Sequence, residues 1–403
     1  MRKMETMKYT KKECLEFIRE ENVQFILLSF VDIRGRMRTT TIMPSEAARA
    51  LSVGISIDGS AIEGYETDGV HSDLFLHPDP DTLALLPWRP DQGKAVRFFS
   101  YVTFPDGTPV PSDSRWILSR AVKEAEKRGL SFYFGTEYEF YLFPLNEDGT
   151  HSSVPVDSEG YMASAPLDRG EAVRREICLA LEELSLHPEA SHHEEGPGQN
   201  EIDFCYSPSL EAADNGMTFC QIVRTVAERS GLYADFSPKP IPDKSGNGLH
   251  INISVRGGEG NELEYITAGI MKYIREMTLI LNPGEDSYRR LGSFKAPSSV
   301  SYSYGNRSQL IRIPAAEGEY VRAELRSPDA GCNLYIALAL LIYASLEGIE
   351  KKLTLPSAEG GVPSTPEVLP RSLSEALKVA GEGDFLSRYL PPEALRYFTA
   401  EEK

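Results

Sequence analysis

The stretch "FGTEYEFYLF", residues 134–143, alternates carboxylates with aromatic residues. A period of two is that of a β-strand, whose successive side chains point to opposite faces. Glu137 and Glu139 therefore share one face, and Thr136, Tyr138 and Phe140 take the other. Two carboxylates on one strand face repel each other unless something cationic lies between them. Flanks this aromatic do not suit a solvated strand. The chain is thus constrained to a sheet with one apolar face and one acidic face turned toward positive charge.

"SHHEEGPGQNEIDF", residues 191–204, adds two imidazoles and four carboxylates around a Gly-Pro-Gly turn. Glu201 and Asp203 share a strand face, and Glu194 precedes the turn. "NGLHINISV" places His250 on an alternating strand, and "RAELRSPD" places Glu324 between Arg322 and Arg326. Alone, His250 reads as a structural histidine and Glu324 as an ion-pair partner. Together with the other acids they read as a hard-cation site with many carboxylates, one imidazole and no thiolate. That donor set suits Mg²⁺ or Mn²⁺ rather than structural zinc. Five or six protein ligands exceed what one Mg²⁺ takes, so two ions are expected, as in phosphoryl transfer.

Arginines supply the opposite charge. "GNRSQLIRIP" brings Arg307 and Arg312, and "VRAELR" brings Arg322 and Arg326, interleaved with Ile311, Ile313 and Leu325. Guanidinium groups suit phosphate and carboxylate. A basic wall facing an acidic one would hold ATP and an acidic substrate. There is no "GxxxxGK[ST]" loop and no dinucleotide fingerprint, so metals and arginines would hold the nucleotide. No Ser-His-Asp or Cys-His arrangement competes.

The chain has 403 residues, enough for two or more domains. A net charge of −18 disfavours nucleic acid and anionic membranes as partners. The five cysteines are scattered and form no CxxC pair, which fits a reducing compartment. No window is apolar over the length of a membrane span, and the N-terminus has no apolar signal core. A cytoplasmic location is expected.

Thr10 to Glu13 is a capping box that opens a helix to about Glu21. Strands are expected at 23–31, after the Arg34-Gly35 turn, and at 96–104. Residues 1–108 thus read as a small sheet-rich domain. From 109 onward helices alternate with strands: helices end at Gly129 and run over 168–184, 210–229, 262–281 and 334–353. Strands fall near 131–143, 199–206 and 249–255. Residues 355–370 read as a loop.

Eight segments occur in an order that resembles the glutamine synthetase family, bacterial and archaeal class. They are "IDGSAIEG", "GTEYEFYLF", "EGYMASAPLD", "SHHEEGPGQNEIDF", "PKPIPDKSGNGLHINIS", "NPGEDSYRRL", "KAPSSVSYSYGNRSQLIRIP" and "AELRSPDAGCNLYIALALLIYASLEGI". The resemblance implies an α+β fold. It has an N-terminal β-grasp-like domain, 1–108, and a C-terminal catalytic domain, 109–403, with a curved antiparallel sheet and flanking helices. It also implies a homo-oligomeric double ring with active sites between subunits. The implied reaction is ATP-dependent ligation of glutamate with ammonia through a γ-glutamyl phosphate. One metal ion falls to Glu139, Glu194 and Glu201, and the other to Glu137, His250 and Glu324. Glutamate falls to Arg290, Arg326 and Gly246. Arg307, Arg312 and Arg322 face the transferring phosphoryl group, and Tyr206, Asn252 and Ser254 the nucleotide. Asp58, Tyr161 and Glu194 belong to the amine pocket.

Two departures fall at that pocket. Lys295, in "FKAP", stands where the family carries a flap glutamate, and Ala61 stands where it usually has serine. A cationic lysine would repel ammonium, whereas a neutral one would serve as a base. The departures open two alternatives: a γ-glutamyl-amine ligase using an organic amine or polyamine, and a catalytically silent regulatory oligomer. The C-terminal region lacks the tyrosine loop adenylylated in some relatives, and Tyr389 and Tyr397 lie outside that context. Control by adenylylation is not expected.

Overall fold

A computed structural model of the chain describes residues 9–65, 67, 72–88, 93–258, 260–316, 318, 321–356 and 367–400. Most of the loop expected at 355–370 lies outside the described residues. Two compact units are present: residues 1–117 with 391–397, and 118–390 with 398–403.

The first unit is a six-stranded sheet of β1 (Phe25–Val31), β2 (Met37–Ile42), β3 (Ile55–Asp58), β4 (Asp73–Pro78), β5 (Ala84–Leu85) and β6 (Ala95–Thr103). The order is β2-β1-β6-β4-β3, with β5 on β6. The β1–β2 hairpin is antiparallel, and β1 runs parallel to β6. Helix Lys11–Glu20 opens on the expected box, with Thr10 and Glu13 each accepting from the other's backbone N–H. The inward residues Leu28, Leu74 and Val96 are fully buried beside Cys14 and Ile18 of that helix.

The second unit carries nine strands: β7 (Ser131–Pro144), β8 (Pro188–His193), β9 (Gln199–Phe204), β10 (Ser207–Pro208), β11 (Leu232–Asp235), β12 (Leu249–Arg256), β13 (Tyr302–Ser303), β14 (Ile311–Arg312) and β15 (Ala323–Leu325). The order is β13-β14-β15-β12-β7-β9-β8, with β10 and β11 also on β7. Every pairing is antiparallel except β13–β14. The apolar face of β7 behaves as its sequence requires. Tyr138 stacks on Phe219 of helix Ser209–Arg229 at 5.3 Å, and Phe140 reaches Phe236 at 5.4 Å. Helices Glu262–Leu281 and Leu334–Glu350 pack against each other behind it.

Helix Leu334–Glu350 is buried nearly all round, as an apolar sequence demands. Asn333 caps it by accepting from the Ile336 N–H. The helix expected from Asp168 begins instead at Glu171, because Asp168 pairs with Arg174 at 2.6 Å and accepts from the Gly170 N–H. No described helix is long and apolar enough to cross a membrane.

Candidate active site

The strand pairings bring the predicted acids together. His250 on β12 lies directly opposite Glu137 on β7, and Glu201 on β9 lies opposite Glu139. His192 on β8 in turn faces Glu201, and Glu324 on β15 faces Asn252. In an antiparallel pair directly opposed residues share a face. One face of the sheet therefore carries acids and imidazoles from five adjacent strands, and the other carries the aromatic core.

Donor atoms converge in three overlapping groups that together include all the predicted metal ligands. Atoms of Glu137, His250 and Glu324 lie within 4.8 Å of one another, as do those of Glu139, Glu201 and His250. Glu194 joins Glu201 through His192, which the sequence analysis did not assign. His192 Nε2 is 2.8 Å from Glu194 Oε1. The sequence held a signal for it: His192 and Glu194 are two apart.

Hydrogen bonds aim these groups. Asn252 Nδ2 donates to Glu137 Oε1 at 2.7 Å, and His250 Nδ1 lies 3.3 Å from Glu137 Oε2. The Gly248 N–H donates to Glu139 Oε2 at 2.7 Å. A side chain at Gly248 would come within 2.8 Å of His250 Nε2, so only glycine leaves the imidazole its place. Glu324 is held between Arg312, at 2.6 Å, and Arg326.

The charge balance is uneven. Burial would raise Glu137, but the hydrogen bonds from His250 and Asn252 outweigh it and hold the carboxyl at about 2. Burial opposes ionisation of Glu194 as well, and the His192 bond reverses the sign. On β9 the compensation falls short. Burial and the facing charge of Glu139 push Glu201 well above the carboxylate range. Burial and the Glu137 charge lift Asp203 to about 6. Asp203 Oδ1 is buried with no hydrogen-bond partner. A face of buried oxygens short of positive charge, with two imidazoles and no sulfur, fits a pair of hard divalent ions.

Opposite this face lies a cavity of about 480 Å³, lined also by Arg290, Arg307, Arg312, Arg322 and Arg326. Tyr161, Gly246, Glu194 and Lys295 line it too. Arg290 is buried and donates to the carbonyls of Ser327, at 2.8 Å, and Arg326, at 3.0 Å. Asn252 bridges the two walls, since its Oδ1 accepts from Arg322 Nε at 2.9 Å.

Tyr206 and Ser254 are not among the lining residues. The Tyr206 hydroxyl accepts from Arg256 at 3.2 Å, and Ser254 faces Tyr133. Asp58 belongs to the first unit, where it caps a short turn by accepting from the Ser60 N–H and hydroxyl. Ser245 lines the cavity, whereas Asn247 is fully buried and donates to the carbonyls of Asp235 and Ser237. Glu195, also unassigned from sequence, lines the mouth and is ion-paired with Lys295.

Fold and site together define a class: a chain of two α+β units whose larger antiparallel sheet sets an acidic face against a guanidinium wall. The family profile described as "Glutamine synthetase, beta-Grasp domain" matches residues 22–105, and that described as "Glutamine synthetase, catalytic domain" matches residues 111–403. The chain belongs to the glutamine synthetase family. It is 42% identical to a glutamine synthetase of Methanosarcina mazei over 85% of this chain and 80% of that protein. It is 38% identical to one of Thermotoga maritima, over 92% and 89%. Among solved structures, a GmaS/ADP complex matches with TM-score 0.86 at 28% identity, covering 96% of this chain and 94% of that one. The Plasmodium falciparum glutamine synthetase matches with TM-score 0.86 at 21% identity, covering 97% and 94%, and shares the fold.

Proposed function

We infer that this protein ligates glutamate and ammonia at the expense of ATP, through a γ-glutamyl phosphate, as its curated relatives' name implies. The observation that carries the reading is one cavity lined by both charges: converging carboxylates with His250, and five arginines, two of which pair with Glu324. A carboxylate oxygen is a poor leaving group, so glutamate must be activated before an amine attacks. Its γ-carboxylate takes the terminal phosphoryl group of ATP, releasing ADP. The amine nitrogen then attacks the acyl carbon, phosphate leaves, and the amide forms.

Each residue has a part in this reading. Arg326, Arg290 and the Gly246 backbone hold glutamate. Arg307, Arg312 and Arg322 offset charge on the phosphoryl group as it moves. Tyr206, Asn252 and Ser254 lie toward the nucleotide. Glu139, Glu194 and Glu201 would hold one Mg²⁺ or Mn²⁺, and Glu137, His250 and Glu324 the other. Bound there, such ions supply charge neutralisation and orientation of the phosphates. Lys295 is already paired with Glu195, so the proton of the attacking amine goes to a carboxylate, Glu194 or Asp58. We place Asp58 in the active site of a neighbouring subunit within a homo-oligomeric ring in the cytoplasm.

The test is phosphate release from Mg²⁺–ATP with glutamate and ammonium supplied together and singly. The reading requires one phosphate per glutamine formed, and little release when either substrate is left out. Release that ignores glutamate would overturn it.

A further inference from the structure

Lys295 lies at the mouth of the cavity, on a short loop after helix Glu285–Arg290. Its ammonium is ion-paired with Glu195 and lies 5.9 Å from the centre of the Tyr161 ring. Glu195 Oε2 sits 3.4 Å from the Ser245 hydroxyl. Glu195 differs from the acids deeper in the cavity: among the described residues it joins none of the converging donor groups. Its side chain is one-third exposed, at 33%. The carboxylate therefore meets what enters rather than what is held within.

A lysine side chain is chemically a primary alkylammonium ion on a four-carbon stem. The mouth thus already displays how it receives one: carboxylate on the charge, aromatic face alongside. Resting on the ligase reading above, the acceptor arrives as the same kind of ion, because amines of ordinary basicity are protonated at neutral pH. We propose that Glu195 adds a docking carboxylate for the acceptor in its ammonium form, RNH₃⁺, beside Tyr161 of the expected amine pocket, and that Lys295 is a tethered occupant the acceptor must displace. While Lys295 holds Glu195, the subsite is neutralised and offers a second cation nothing. When the lysine swings out, the carboxylate is presented to the acceptor beside the activated glutamate.

The neighbouring contacts make the lysine, rather than its loop, the moving part. Lys239 reaches the Ser293 hydroxyl at 3.3 Å and sits 4.7 Å over the Phe294 ring. These contacts hold the two residues that precede Lys295. The Lys295–Glu195 pair is itself half in solvent, with side-chain exposures of 52% and 33%. Pairs so exposed are weak, so a free ammonium ion competes for the carboxylate.

The proposal is tested by acceptor kinetics at saturating glutamate and Mg²⁺–ATP, with ammonium, methylammonium and butylammonium in turn. Lys295→Met should lower the acceptor KM about threefold and leave the glutamate KM unchanged. Glu195→Gln should raise the acceptor KM by about the same factor. The double variant should lose the gain of Lys295→Met. A gain shared by all three acceptors assigns the subsite to the bare cation, and a gain confined to butylammonium assigns it to alkylamines. Binding of butylammonium, measured by calorimetry with Mg²⁺–ADP present, should appear in Lys295→Met and vanish in the double variant. Unchanged acceptor KM in both single variants, or equal calorimetric binding with and without Glu195, overturns the proposal. Absence of turnover in the unaltered protein with every acceptor would instead defeat the ligase reading, and the calorimetry would still decide the subsite.

Discussion

Two of the places where the second unit buries carboxylates are built on opposite terms. Glu347, on the apolar helix Leu334–Glu350, accepts from Tyr389 at 2.7 Å and from Tyr273, Lys351 and Arg388. It has donors on every side. On the sheet face, Glu201 meets Glu139 across the strand pair, and Asp203 leaves an oxygen without a partner. A buried charge with a full set of donors ties elements together. A buried charge facing other like charges destabilises the fold on its own, and persists where a ligand supplies the missing positive charge. Satisfaction, rather than burial or charge count, separates Glu347 from Glu201 and Asp203, whereas Glu137 and Glu324 on the same face do have donors.

The largest effect expected from breaking this contrast is on turnover. Glu137→Gln or Glu201→Gln should cut glutamine synthesis by about a thousandfold, since each removes a donor charge from the phosphoryl-transfer site. The metal-free protein should melt no lower in Glu201→Gln than in the parent, because the change removes like-charge repulsion. A melting point several degrees lower would place Glu201 with the structural acids.

The mirror experiment is on Glu347. Glu347→Ala should cost about 2–3 kcal/mol, lowering the melting point by several degrees while the folded fraction keeps its turnover. Its pH dependence has a definite sign. Burial would raise this carboxyl from 4.5, but the hydrogen bonds from Lys351, Tyr273, Tyr389 and Arg388 hold it at about 2. A lowered value contributes stability that is complete above 4.5 and is lost as pH falls from 4.5 toward 2. Denaturant unfolding over that range should show the loss in the parent and a smaller one in Glu347→Gln. Identical slopes would remove Glu347 from the account.

A smaller contrast sits within "KSGNGLH". Asn247→Ala should cost about 1–3 kcal/mol of stability, because it leaves the carbonyls of Asp235 and Ser237 without their donor. Ser245→Ala should change stability by less than about 0.5 kcal/mol and show itself in substrate kinetics. Unfolding curves and KM values for the pair separate the two. Equal losses of stability would contradict the division.

Much of this was legible in sequence because β-strands convert spacing into faces. Glu137 with Glu139 on one side and Tyr138 with Phe140 on the other followed from a period of two. So did the pairing of Glu201 with Asp203. Long apolar or amphipathic helices were legible too, expected at 210–229, 262–281 and 334–353, through their length and end signals; the last ends at Glu350. What was not legible depended on contacts far apart in the chain. β8 is short, polar and half exposed along "PEASHH", so no hydrophobic period marks it, and with it went His192. Helices Leu373–Glu382, Phe385–Tyr389 and Pro392–Thr399 were missed because short helices owe their stability to what they dock on; the second docks through the Glu347 network. Glu195 was quoted but unassigned, because its meaning lies in Lys295, 100 residues away.

The central claim is that the acidic sheet face holds a pair of divalent ions. The direct measurement is the stoichiometry of Mn²⁺ bound per chain at equilibrium, in the parent and in Glu137→Gln, Glu201→Gln and Glu347→Gln. The account predicts two ions in the parent, two in Glu347→Gln, and one lost or severely weakened in each of the other variants. Fewer than two ions in the parent, or full binding retained in Glu137→Gln and Glu201→Gln, would contradict it.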